Sequence, residues 1–497
     1  MGNIESSFEQ NSTGKTEQNS TAESTQNHAD EPDQSRIKPA QYSAKSPARK
    51  RPSGKVYFCI DLKSFYASVE CVDRGWDPFK KNLVVADPDR TEKTICLAVS
   101  PALKALGVPG RCRVFQLPKN IDYYTAKPRM KRYMEVSSQI YSIYLRWVSP
   151  QDVHVYSIDE CFIDATPYLA LYDMDAHTFA QTLIDTVFKE TGICATAGVG
   201  TNLFLAKVAL DITAKHDSDN IGFLNETLFK QEIWFHHPIT DIWNIGYGIA
   251  HRLAKYGVYD LAGVCAMEEA TLYKEFGINA EYLIDHAWGQ EACTIEEIHS
   301  YVPEGHSLVN GQVLPCDYTC EETCMVMHEM VDASILELVQ KKLVAESISL
   351  SIGYAKPSQN KSFYMPDASE NEPPKDELPS TTRERFYNHT GGTRKLGRRT
   401  NSAAILKRAF NELFNKTTSE TLPIRRISIG FGGLLPEKFA TVTLFDDVEA
   451  EKKERTRQEA IIAVRKKFGK NALLKGTSLQ EKATARERNK QIGGHRA

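Results

Sequence analysis

The feature that most constrains this chain is an acid standing at the end of an apolar strand, and it occurs twice. In residues 56–70, VYFCIDLKSFYASVE, a β-branched and aromatic run (Val56, Tyr57, Phe58, Ile60) stops at Asp61. Apolar residues then recur at helical spacing through Phe65, Ala67 and Val69. The pattern predicts a buried strand turning into a helix, with a carboxylate at the junction. Further on, Val153, Val155, Tyr156 and Ile158 lead into Asp159 and Glu160, and Cys161, Phe162, Ile163 and Asp164 read as more strand. Three carboxylates at strand ends in one sheet raise one another's pKa unless a cation lies between them. Oxygen-only ligands favour Mg²⁺ or Mn²⁺.

Three strings carry a family resemblance: Asp61-Leu62-Lys63-Ser64-Phe65-Tyr66-Ala67-Ser68-Val69-Glu70, Tyr156-Ser157-Ile158-Asp159-Glu160, and Gly198-Val199-Gly200-Thr201-Asn202 running on to Leu205-Ala206-Lys207. In this order and spacing they resemble the Y-family translesion DNA polymerases, UmuC-like branch of the Gram-positive type. The likeness spans residues 55–448. It implies an α+β multidomain right-hand polymerase. Residues 55–231 would be a ferredoxin-like palm with small fingers inserted at 76–125, residues 232–298 a helix-hairpin-helix thumb, and residues 299–448 an α/β little finger. The implied reaction is template-directed addition of deoxynucleotides to a primer 3′-OH, in error-prone translesion synthesis, DNA repair and the SOS response. Asp61, Asp159, Glu160 and the Leu62 carbonyl would hold two Mg²⁺ ions, with Mn²⁺ an alternative.

The same resemblance assigns Phe65, Tyr66, Lys104 and Lys215 to the incoming nucleotide. Tyr66 is either the steric gate against a 2′-hydroxyl or a core tyrosine, with Phe65 the gate or neither. Relatives often carry Arg where this chain has Lys104, and some carry Tyr where it has Pro101. A lysine supplies charge to a triphosphate without the bidentate fork of arginine; its alternative role is a solvated helix face. The interval from Lys207 to Lys215 is one residue longer than in many relatives.

Residues 1–54 are rich in Ser, Thr, Gln, Asn and Glu with few large apolar side chains, a composition that predicts disorder. Met1-Gly2 with Ser6 formally fits an N-myristoylation pattern, a short match of the kind that arises by chance. Strands are expected at 82–87 and 94–99, a short helix at 101–106 and an amphipathic helix at 128–148. After the acidic pair, a helix at 177–190, a strand at 193–200 and a helix at 202–214 complete a strand-helix-strand-strand-helix-strand order. Residues 242–253, IWNIGYGIAHRL, read as helix, glycine-containing hairpin and helix, in which Gly246 and Gly248 would let backbone N–H groups reach a DNA phosphate. A plain turn between helices is the alternative.

Beyond residue 300, strands are expected at 307–310, 347–354, 389–396 and 424–431, with helices at 321–345 and 402–414. Residues 356–382, crowded with Pro, Ser, Asn and acids, read as a flexible excursion within a region extending to 388. Residues 449–497 form a basic tail, either solvated helix, disordered, or in contact with DNA or a partner. Thr441-Val442-Thr443-Leu444-Phe445 resembles in part a peptide that docks on the sliding clamp, with Leu444 and Phe445 its anchors; a buried edge strand is the other reading.

Net charge of −3 from 61 basic and 64 acidic residues conceals local asymmetry. Residues 36–55 carry seven basic side chains and no acid, a distribution suited to nucleic acid. No run of 18 apolar residues and no apolar leader is present, so a cytoplasmic protein without a membrane span is expected. The 11 cysteines are scattered through apolar runs, as in a reducing compartment. Cys316, Cys320 and Cys324, four apart, lack the spacing and fourth ligand of a zinc site. Expected partners are primer-template DNA and deoxynucleoside triphosphates, with a sliding clamp or a recombinase filament as candidates, and the chain is expected to be monomeric. Two other classes share parts of the pattern: nucleotide cyclases use a similar palm and paired acids, and a catalytically inactive DNA-binding relative would act as an accessory or regulatory protein.

Overall fold

The computed structural model describes residues 54–215, 217–303, 307–355, 389–441 and 447–497. The N-terminal extension with its Gly2 and Ser6 pattern, the 356–388 excursion and the Leu444-Phe445 clamp reading therefore lie outside the described residues. Two units are distinguished, Met1–Val72 with Val136–Ser300 and Asp73–Glu135 with Tyr301–Ala497.

In the first unit the apolar runs become a five-stranded sheet. Strand β1 (Tyr57–Leu62) leads into helix α1 (Phe65–Val72); β2 (Val153–Val155) and β3 (Glu160–Asp164) form a hairpin; helix α2 (Ala176–Thr191) leads to β4 (Ala195–Gly200); helix α3 (Leu203–Val208) precedes β5 (Ile221–Leu224). The order is β2-β3-β1-β4-β5, with β1 antiparallel to β3 and β4, and β5 parallel to β4. The first four strands have the ferredoxin-like arrangement, and β5 extends its edge. Every residue of β1 except Asp61 is buried, so register on both sides is fixed by burial as well as by ladder bonds. Asp175 caps α2 by accepting from the Thr178 N–H, and Gly192 ends it in the left-handed conformation at φ 69°.

The Gly-Val-Gly of β4 has a packing cause. A Cβ on Gly198 would lie 2.1 Å from the Ala206 carbonyl oxygen, and one on Gly200 2.2 Å from the Ala206 nitrogen. Only glycine lets α3 lie this close to the strand. A π-helical turn, Ala209–Thr213, follows α3 directly. Such a turn absorbs one residue more than an α turn, and it lies between Lys207 and Lys215.

Residues 239–300 form a small helical layer whose core joins Leu253, Leu261, Leu272 and Leu283 to Phe204 and Leu205 of α3. Here the expected helix-hairpin-helix is corrected at its first arm. Ile239–Asp241 is a 3₁₀ turn, residues 242–245 are not helical, and Asn244 makes the reversal at φ 68° before the helix Tyr247–Ala254. Asparagine tolerates that conformation better than other non-glycine residues.

In the second unit, Leu83–Val85 pairs antiparallel with Ala98–Val99 and parallel with Tyr124–Ala126. The helix Pro101–Ala105 is capped by the Ser100 hydroxyl. A second sheet has the order His389–Thr400, Leu343–Tyr354, Ile424–Gly432, Ser307–Tyr318, and helices Cys320–Gln340 and Ala403–Thr417 bury Val326, Met330, Leu406 and Phe410 against it. The helix expected at 321–345 ends at Gln340, because Lys342 turns the chain at φ 54° into the next strand. The strand expected at 307–310 runs to Tyr318, its polar stretch alternating toward solvent. Residues 449–497, set apart above as a basic tail, are folded onto this unit. The helix Val448–Phe468 lies against Cys320–Gln340, and Glu454 accepts from the Ala403 N–H at 2.6 Å, capping the neighbouring helix.

Candidate active site

The site grows from the C-terminal end of β1. Asp61 sits directly opposite Glu160 on β3 and opposite Thr196 on β4. The Leu62 N–H donates to the Asp159 carbonyl at 3.0 Å, so the acidic turn before β3 is stitched to the strand that carries Asp61. Ser157 completes that turn: its hydroxyl donates to Asp159 Oδ1 at 2.7 Å and accepts from the Glu160 N–H at 3.1 Å. From the helix Met130–Tyr144, the Ser137 hydroxyl donates to the Ile158 carbonyl at 2.6 Å. Asp61, Asp159 and Glu160 are thus brought to one sheet end by ladder register and by two serines.

Burial raises the Asp61 carboxyl well above the usual range, and the charges of Asp159 and Glu160 raise it further. Burial likewise lifts Glu160, opposed by the Lys207 ammonium. Lys207, 5% exposed on α3, forms ion pairs with Glu160 and, at 3.0 Å, with Asp211 of the π-helical turn. Burial would depress its pKa, but Cys59, Glu160 and Asp211 outweigh that and hold it above the normal lysine value. Lys207 supplies the positive charge beside these acids. Among the described residues no group of three His, Cys, Asp or Glu is arranged to hold a metal ion; Glu160 is turned onto Lys207. The donor set nevertheless fits a hard divalent cation: carboxylate oxygens only, crowded enough to raise Asp61, with the Leu62 carbonyl on the same strand end.

Of the nucleotide candidates, Phe65 is 3% exposed in the core face of α1, while Tyr66 beside it is partly exposed, their ring centroids 5.8 Å apart. Between Leu62 and Phe65, Ser64 holds a left-handed φ of 50°, a strained position at the turn after the acid. Lys215 is exposed just beyond the π-helical turn. Lys104 is exposed in the last turn of Pro101–Ala105 and belongs to the second unit. Gly246 and Gly248 are exposed at the start of Tyr247–Ala254, and a Cβ on either would meet nothing within 4 Å.

Sequence reasoning did not assign Ser157, Asp211 or the buried role of Lys207. The available signal was a lysine flanked by Leu205, Ala206 and Val208 on a short apolar helix, where a charge needs a partner.

A strand-end carboxylate pair on a ferredoxin-like sheet, followed by a helical layer and a second α/β unit, defines the architecture of a right-hand polymerase. A solved Y-family DNA polymerase chimera, Dbh-Dpo4-Dbh, superposes with a TM-score of 0.54 at 18% identity, over 77% of this chain and 99% of its own. Residues 60–211 match the impB/mucB/samB family and residues 306–444 its C-terminal domain. UvrX of Bacillus subtilis strain 168 is 28% identical over 446 residues, 89% of this chain and 98% of its own. DNA polymerase IV 2 of the same strain is 28% identical over 449 residues, with the same coverage. The chain belongs to the impB/mucB/samB family.

Proposed function

We propose that this chain adds deoxynucleotides to a primer 3′-OH on a DNA template, using two Mg²⁺ ions or Mn²⁺, in error-prone translesion synthesis during the damage response in the cytoplasm. The observation that carries the reading is the register pairing of Asp61 with Glu160, with Asp159 tied to the same strand end through the Leu62 N–H. Asp61, Asp159, Glu160 and the Leu62 carbonyl would hold the ions. The chemistry they supply when bound is acidification of the primer hydroxyl and neutralisation of charge on the triphosphate.

The protein's own part is positioning. Ser157 orients the Asp159 carboxylate, and Lys207 holds Glu160 at the sheet end. Tyr66 would lie against the sugar of the incoming nucleotide, with Lys104 and Lys215 its phosphate contacts. Gly246 and Gly248 would admit a DNA phosphate to the helix N-terminus. Among the described residues no helix is long and apolar enough to cross a membrane.

Primer extension with and without Mg²⁺ tests the reading. Asp159→Ala or Glu160→Ala should cut the rate by a factor of about 100 or more, as for loss of a stabiliser of transition-state charge, while primer-template binding persists. Extension at the native rate by either variant rejects the assignment.

A further inference from the structure

Residues 471–497 lie outside both family matches and make two sets of contacts within the second unit. The first set is with the little finger. Glu329 of the helix Cys320–Gln340 accepts from the Thr484 and Ala485 N–H groups at 2.8 and 3.0 Å, and Arg488 donates to Asn310 at 2.7 Å. The second set is with the fingers. Gln491–Ile492 and His495–Arg496 form a hairpin around Gly493 and Gly494, whose φ values of 57° and 80° are those a two-residue turn requires. From its end, Arg496 donates to Asp87 at 3.1 Å and also engages Asp89, while Arg90 reaches back to the Gly494 carbonyl at 2.7 Å. Asp87 has a side chain only 8% exposed and stands between Arg90 and Arg496.

A guanidinium bridging two carboxylates, with a reciprocal arginine on the hairpin backbone, is a built contact and not a chance surface pair. One continuous segment is anchored at one end on the little finger and at the other on the fingers. We propose that residues 471–497 are a strap that ties fingers to little finger and slows release of primer-template DNA from the protein. This rests on the polymerase reading above.

The test compares wild type with Arg496→Ala and Arg496→Lys in the full chain, by hydrogen exchange without DNA and by release of a primer-template into competitor DNA. In Arg496→Ala, amides of residues 87–90 and 491–497 should exchange about tenfold faster or more, while Cys320–Gln340 stays protected. The half-life of the DNA complex should fall about threefold or more, and incorporation in the first turnover should stay within about twofold. Arg496→Lys, which keeps charge but not the fork, should fall between. Unchanged exchange in Arg496→Ala shows that the hairpin is not held by this contact; faster exchange with an unchanged DNA half-life shows that the strap does not govern release. Either result overturns the proposal. If wild type binds DNA but does not extend primers, the polymerase reading fails while exchange and release still decide the strap.

Discussion

Lys207 and Glu160 form a largely buried ion pair at the end of the five-stranded sheet, with side chains only 7% and 18% exposed. Asp211, one turn along from Lys207, shares the ammonium. Removing one member of such a pair leaves an uncompensated charge in a poorly solvated place, a loss of about 3–5 kcal/mol. Lys207→Met should therefore lower the free energy of unfolding in urea by that amount, and Lys207→Arg by much less. A loss under about 1 kcal/mol in the Met variant would show that water screens the pair.

The packing of the helical layer at 239–300 on α3 makes a pH prediction. His286 stacks on Phe204 of α3 with centroids 4.1 Å apart, and its Nε2 lies 3.0 Å from Glu291. Burial pushes the Glu291 carboxyl up, but the His286 hydrogen bond and the Cys293 N–H outweigh it and hold the pKa below the usual glutamate value. A depressed carboxyl stabilises the fold fully above its unfolded pKa of about 4.3 and loses that contribution as pH falls through the lower folded value. Glu291→Gln should therefore cost about 1–3 kcal/mol at pH 7, and the gap from wild type should close below about pH 4. A gap that persists unchanged into acid would assign the loss to packing.

Gly246 and Gly248 separate a folding role from a binding role. Neither has φ in the left-handed region, and a Cβ on either meets no protein atom within 4 Å. Alanine at these positions should leave thermal unfolding unchanged or slightly improved, since helical Gly→Ala gains up to about 1 kcal/mol at a site such as Gly248. If a DNA phosphate approaches this backbone, the same variants should weaken primer-template binding. Wild-type affinity should fall with salt at a log–log slope of about −4 to −5 for about five neutralised phosphates. Alanine variants with native affinity would return the segment to a plain helical turn.

What the sequence made legible follows from which physical terms are local. The apolar run of β1 and the acid that ends it are written in consecutive residues, and strand burial turns them directly into Asp61 at a sheet end. The same holds for the helix at 176–191, whose cap residues Asp175 and Gly192 stand in the string. Lys207 was not legible in this way. A lysine on a helix ordinarily reaches water, and only the close seating of α3 on Gly198 and Gly200 buries it against Glu160. Asn244 was missed because Gly246 and Gly248 drew the turn toward themselves, although Asn244 carries the positive φ. The strap was hidden for a third reason: the partners of Arg496 are about 400 residues away, and a basic tail reads as solvated until its acids are found.

Tyr66 is the position at which site and core readings diverge most sharply. It follows the strained turn at Ser64, on the helix that starts beside Asp61, and it is partly exposed while its neighbour Phe65 is buried. That difference favours Tyr66 over Phe65 as the side chain that meets a sugar. A ring placed against C2′ of the incoming nucleotide discriminates by overlap with a 2′-hydroxyl, and a well-fitted pocket of this kind is worth about 1–3 kcal/mol. Tyr66→Ala should raise ribonucleotide incorporation about tenfold or more relative to deoxynucleotide incorporation on one primer-template, with the deoxynucleotide rate falling much less. A core tyrosine predicts another pattern, in which folding and both activities decline together. Circular dichroism on the same preparation separates the two, and a folded variant with an unchanged ribose-to-deoxyribose ratio removes Tyr66 from the site.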